Sequence, residues 1–127
     1  MKKIISTTKA PSAIGPYNQA TSFEKLVFTS GQIALDPTTM EIVNGGVQEQ
    51  TKQVMENLKA VLEEAGSSFE NVLKTTCYLS DMDNFVAFNE IYGEYFNAQT
   101  APARSTVAVK TLPKNVLVEV DVIAFKN

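Results

Sequence analysis

The segment Val116-Leu117-Val118-Glu119-Val120-Asp121-Val122-Ile123-Ala124-Phe125 constrains the fold more than any other part of the chain. Small or β-branched apolar residues stand at every even position, so the segment reads as a β-strand with one face turned to a core. The odd positions carry Leu117, Glu119, Asp121, Ile123 and Phe125. A face given wholly to water does not normally hold three large apolar side chains in five positions. Two readings follow. A second subunit covers that face, placing Glu119 and Asp121 at or near the contact, or a twisted sheet leaves an apolar face partly exposed.

The remaining elements supply what such a strand needs around it. Residues 2–5 form a short strand, and residues 17–23 and 26–33 form a hairpin around Glu24-Lys25. Asp36-Pro37-Thr38-Thr39 marks a turn, and Gly45-Gly46 closes the irregular stretch after it. From Val47 to Ala65, the residues Val54, Leu58, Val61, Leu62 and Ala65 recur at helical spacing, with Gly66 placed as a C-terminal cap. Val72 to Leu79 is a strand, with Cys77 facing inward beside Leu73 and Leu79. A second helix runs from an Asp83 cap to about Phe96 on a stripe of Phe85, Phe88, Tyr92, Tyr95 and Phe96. A strand over 104–110 precedes the last one. The whole of 1–127 reads as one α+β domain, a sheet of about six strands with two helices on one face, with no repeat or boundary inside it.

Composition excludes several kinds of function. The 127 residues contain no His and one Cys, which removes the usual zinc sites, an internal disulfide, the Ser-His-Asp and Cys-His nucleophile systems and His-based ribonuclease chemistry. A net charge of −3 is a poor electrostatic start for holding nucleic acid. The longest apolar run, Val122–Phe125, is far short of the ~20 residues of a membrane span. The residues after Met1 lack the apolar core of a signal peptide. A cytoplasmic protein with neither metal nor cofactor is the expectation.

Few residues are left to carry chemistry. If Val107 and Val109 face the core, then Arg104, Thr106 and Ala108 face the other way, on the side of Glu119. Arg104 is then either a solvated charge or a planar fork for a small carboxylate or phosphate. Glu119, an acid in mid-strand, is either an ion-pair partner or a carboxylate that positions and deprotonates water. Asn89 lies within the aromatic stripe, where it bonds locally or orients a ligand. Gly31, after Ser30, permits close approach of a backbone N–H to a ligand. Tyr17, after Gly15-Pro16, is a lid or a core residue. Cys77 reads as packing, and Gly45-Gly46 is no phosphate loop because the Lys-Ser/Thr of that motif is missing.

In their order along the chain these residues form a familiar pattern. The runs Ala13-Ile14-Gly15-Pro16-Tyr17-Asn18-Gln19-Ala20, Phe28-Thr29-Ser30-Gly31-Gln32-Ile33, Gln50–Leu58 and Ala101-Pro102-Ala103-Arg104-Ser105 closely resemble the RidA (YjgF) family of enamine/imine deaminases. The likeness extends from about Ile4 to Phe125. Ala-Pro-Ala-Arg-Ser, with a Glu in the final strand, resembles the deaminase-competent subgroup. The resemblance implies a chorismate-mutase-like fold and a homotrimer with clefts between neighbouring subunits. It implies hydrolysis of 2-iminobutanoate and 2-iminopropanoate to 2-oxo acids and ammonia. Arg104 would grip the substrate carboxylate, Glu119 would hold the attacking water, and Tyr17, Ser30, Gly31 and Asn89 would line the cleft. Thr106 stands where many relatives have Cys; the role there belongs to the backbone carbonyl. A non-catalytic carboxylate-binding regulatory trimer and an endoribonuclease are the competing readings.

Overall fold

The computed structural model describes residues 1–127. Six strands, β1 (Lys3–Ile5), β2 (Ala20–Phe23), β3 (Leu26–Thr29), β4 (Val72–Leu79), β5 (Ala103–Ala108) and β6 (Val118–Phe125), form one mixed sheet. Their order is β1-β2-β3-β6-β4-β5. The helices α1 (Val47–Glu64) and α2 (Phe85–Tyr92) pack on one side of it. β4 and β5 are parallel, joined by the crossover through α2, and every other pair is antiparallel.

The alternation of the last strand holds. Val116, Val118, Val120, Val122 and Ala124 are each no more than 1% exposed and belong to the helix-covered side. The strand itself begins at Val118, two residues later than expected, because the N–H of Leu117 donates to the Gln50 side chain at 2.8 Å. On α1, Val54, Leu58, Val61 and Leu62 are fully buried against this face. Removing each such side chain from water is worth about 1.5–3 kcal/mol. Gly66, at φ +78°, ends the helix. Its N–H donates to the Glu63 carbonyl, and that of Ser67 to the Leu62 carbonyl.

Other boundaries differ from the sequence reading, for local reasons. The hairpin is shorter, 20–23 against 26–29: the Ser30 N–H still donates to the Gln19 carbonyl, but beyond that pair the chain turns to the last strand, where Gln32 bridges Val120. Asp81, not Asp83, caps the second helical segment by accepting the Asp83 N–H at 2.8 Å. A 3-10 turn over Met82–Asn84 then leads into α2, which stops at Tyr92 before Gly93. Phe96 is still buried, its ring 5.2 Å from that of Phe69 and 4.9 Å from that of Tyr92. Leu73 is 49% exposed, not inward, because a bulge between Val72 and Lys74 shifts the alternation. Cys77 remains fully buried.

β5 faces the opposite way from the sequence expectation. Its register pairs Arg104 with Thr75, Thr106 with Cys77 and Ala108 with Leu79, all three partners lying on the helix-covered side. Arg104 and Thr106 therefore project beneath α2, not to the side of Glu119, and Val107 is 46% exposed on the uncovered face. Valine alternation misled the reading because β5 is an edge strand, where the covered side has room for an Arg and a Thr. The uncovered face carries Phe23, Leu26, Phe28, Val107 and Phe125, each more than a third exposed. No helix of the structure is long and apolar enough to cross a membrane.

Leu58 reports on the central packing. Leu58→Ala should lower unfolding free energy by about 2–5 kcal/mol, the range for truncating a buried Leu, as measured by urea titration.

Candidate active site

Beyond Thr29 the chain stays tied to β6. The Gln32 N–H donates to the Val120 carbonyl at 2.9 Å, and the Val120 N–H returns to the Gln32 carbonyl at 3.2 Å. That bridge presses Gly31 against the Glu119 side chain. A Cβ built on Gly31 would overlap the carboxylate outright, with Glu119 Cδ only 2.8 Å away. The glycine is needed here for space, since its backbone φ is not in the left-handed region. Below, the Asn57 side chain donates to the carbonyls of Ile33 and Leu35 at 3.2 and 3.0 Å and ties this loop to α1.

Glu119 faces a cleft of about 430 Å³. Tyr17, Ser30 and Gly31 line it, with Pro113 and Lys114 opposite, and Pro11, Ser12 and Ile14 from the N-terminal segment complete its wall. Ser30 is held by its own hydroxyl, which donates to the Asn18 carbonyl at 2.6 Å. Tyr17 is half-exposed and lines the cleft, so it is not a core residue. The Glu119 carboxyl is raised above its ordinary range, first by desolvation and then by the like charge of Asp121. Asp121 is raised too, by burial, against the lowering effects of a Tyr78 hydrogen bond and of Lys74.

The second cluster lies across the sheet. The Arg104 guanidinium carbon sits 4.6 Å from the Tyr92 ring centre and 5.4 Å from that of Phe85, and Nη1 donates to Asn89 Oδ1 at 2.6 Å. Tyr92 is fixed in turn by a 2.8 Å hydrogen bond between its hydroxyl and that of Thr75. Beneath them lies Cys77, whose thiol burial pushes up to about 11, so it is no nucleophile at neutral pH. The Thr106 hydroxyl is buried with no hydrogen-bond partner. Stacking and the Asn89 bond hold the guanidinium as a preset planar fork, half-buried at the sheet edge.

The seven residues singled out from the sequence thus fall into two groups. Tyr17, Ser30, Gly31 and Glu119 meet in the cleft, whereas Arg104, Asn89 and Thr106 meet under α2. Within one chain the acid and the fork lie on opposite faces of the sheet. Sequence reasoning passed over Pro113 and Lys114, which line the cleft from a tight turn with φ +56° at both Lys114 and Asn115. The Pro-Lys-Asn run between two strands is the signal that would have found it. It also missed Tyr92 and Phe85 as the support of Arg104, having assigned both to core packing.

Comparison with known proteins places the chain in a family. The Endoribonuclease L-PSP family profile matches residues 7–126. The chain is 58% identical over 123 residues to a RutC family protein of Synechocystis, covering 96% of this chain and 95% of that one. It is 48% identical over 127 residues to the mouse 2-iminobutanoate/2-iminopropanoate deaminase, covering all of this chain and 93% of the relative. The crystal structure of YyfA, a conserved Rid family protein from Yersinia pestis, superposes with a TM-score of 0.95 at 45% identity over 98% of this chain and 99% of that one. The chain belongs to the Endoribonuclease L-PSP (RidA) family.

Proposed function

We propose that the protein hydrolyses small 2-imino acids, 2-iminobutanoate and 2-iminopropanoate, to 2-oxo acids and ammonium, in clefts shared by neighbouring copies of a homotrimer. One observation carries the reading: a preset cationic fork and a desolvated carboxylate occur on the same chain but on opposite faces of its sheet. Neither cluster alone both holds an anion and activates water. Copies that set the β5–α2 edge of one chain against the Glu119 cleft of the next would bring both to one ligand. The exposed apolar side chains of the uncovered face supply a surface for that contact. Because the two clusters differ, each copy gives one to each neighbour, a head-to-tail contact that closes as a ring.

In that cleft Arg104 pairs with the substrate carboxylate and fixes the C=N carbon beside Glu119. Glu119 takes a proton from water as the oxygen adds to that carbon. Glu119 gives that proton to the nitrogen, forming the carbinolamine. It then carries the hydroxyl proton to the same nitrogen as C=O forms and the C–N bond breaks, so that a 2-oxo acid and ammonia leave, the ammonia taking a proton from solvent to become ammonium. The name of the mouse relative supports this chemistry. The endoribonuclease of the family name draws no support from a chain with no His and a net charge of −3.

An assay that follows the imine released by a threonine dehydratase tests the reading. Glu119→Gln should slow turnover by ~10²–10⁴-fold, the usual worth of a general base. Arg104→Ala should lose a charge-assisted contact of about 1.5–3 kcal/mol, and undiminished turnover in this variant would discard the mechanism. Co-expressing the two inactive chains should restore activity at about a quarter of the sites, because random assembly pairs an intact Arg104 with an intact Glu119 that often. No recovery would place both residues in one chain's site. Gly31→Ala should displace the carboxylate and cut turnover while the unfolding midpoint stays near that of the parent protein. As for pH, Glu119 must be ionised to act. Activity should fall as pH drops through a value above the ordinary carboxylate range of about 4.3. Asp121→Asn removes the like charge and should carry this limb to lower pH, read from kcat/KM against pH.

A further inference from the structure

The cleft wall from Ser6 to Asn18 has almost no framework of its own. It contains no helix or strand, and its one backbone–backbone hydrogen bond joins the Tyr17 N–H to the Gly15 carbonyl. What ties it down is the side chain of Gln19, which is 3% exposed. Gln19 Nε2 donates to the carbonyls of Pro11, Thr7 and Ala10 at 2.7, 3.0 and 3.2 Å, and Oε1 accepts the Thr7 N–H at 2.7 Å. Its backbone carbonyl accepts the Ser30 N–H at 2.9 Å. One residue thus joins the N-terminal strap to the Ser30–Gly31 loop, the two walls flanking Glu119.

We infer that Gln19 is a positioning residue: its carboxamide holds the 7–17 strap as a fixed wall, and so sets where Tyr17, Pro11 and Ser12 meet the bound anion. The reaction assigned to the cleft rests on the reading above, but the clamp itself does not. The two N–H groups of a carboxamide, one of them shared between two carbonyls, together with its oxygen serve all four backbone partners from two atoms. Gln19→Met keeps the length of the side chain, removes donors and acceptor alike and adds no charge to the cleft that Gln19 lines with Glu119, releasing the strap.

Limited trypsin digestion read by mass spectrometry checks the clamp, because Lys9 lies in the strap and its neighbour Ala10 is 1% exposed. Gln19→Met should speed cleavage after Lys9 and weaken 2-oxobutanoate binding, each about tenfold, as loss of several neutral hydrogen bonds implies. Turnover at saturation should hold within about threefold, since the reacting groups stay in place. Unchanged cleavage and binding overturn the inference. So does a parallel fall of binding, kcat and unfolding midpoint, which marks a merely structural residue. If the variant does not fold, deuterium exchange on the parent protein decides: the Thr7 amide should exchange slowly, and fast exchange there overturns the clamp. A parent protein without imine turnover overturns the reaction assigned to the cleft, while the digestion still reads the strap.

Discussion

The even-numbered residues of β6, sealed beneath α1, are the constraint from which the remaining structure follows. Once Val118, Val120, Val122 and Ala124 are committed to the covered side, the period of the strand leaves Glu119 and Asp121 no other direction than the opposite face. The ladder then fixes the neighbours. β4 pairs Tyr78 with Glu119 and Thr76 with Asp121, and the Gln32–Val120 bridge draws Gly31 over the acid. A slip of one residue would bury two carboxylates under the helices and put four small apolar side chains on the outside. The cost of desolvating the acids forbids that register.

The same geometry sets the electrostatics. Glu119 and Asp121 project from one face two residues apart, and each is partly withdrawn from water, so both are harder to ionise than a free carboxylate. A carboxylate tuned upward in this way is a better proton acceptor, as a water-activating group requires. Arg104 is treated in the opposite manner. Aromatic rings and the Asn89 oxygen offset the partial burial of its charge and hold the fork in one orientation, so little conformational freedom is left to lose when an anion binds.

Much of this was legible beforehand, and the failures are instructive. α1 kept its limits to within a residue because a long apolar stripe, closed by a Gly cap, leaves few alternatives. β4 was bounded correctly from its β-branched content, yet Leu73 was misplaced, since a bulge leaves no mark in hydrophobic alternation. Asp81 and Asp83 are equally good caps by residue type, and only the backbone path decides which carboxylate meets an N–H. For β5 the alternation of valines pointed the wrong way, because at a sheet edge the covered side is not wholly apolar.

Sequence alone determined the period of the strands, the buried stripe of α1, the absence of histidine, and which acid and cation are candidates for the site. Those properties are local or compositional, so they survive without knowledge of what lies across the sheet. Tertiary structure decided which face each functional group occupies: Glu119 over Gly31 in the cleft, and Arg104 beneath α2. The side taken by an edge strand depends on its pairing register with a partner some thirty residues earlier in the chain. That register is set by long-range packing and the crossover through α2, which no short window of residues encodes.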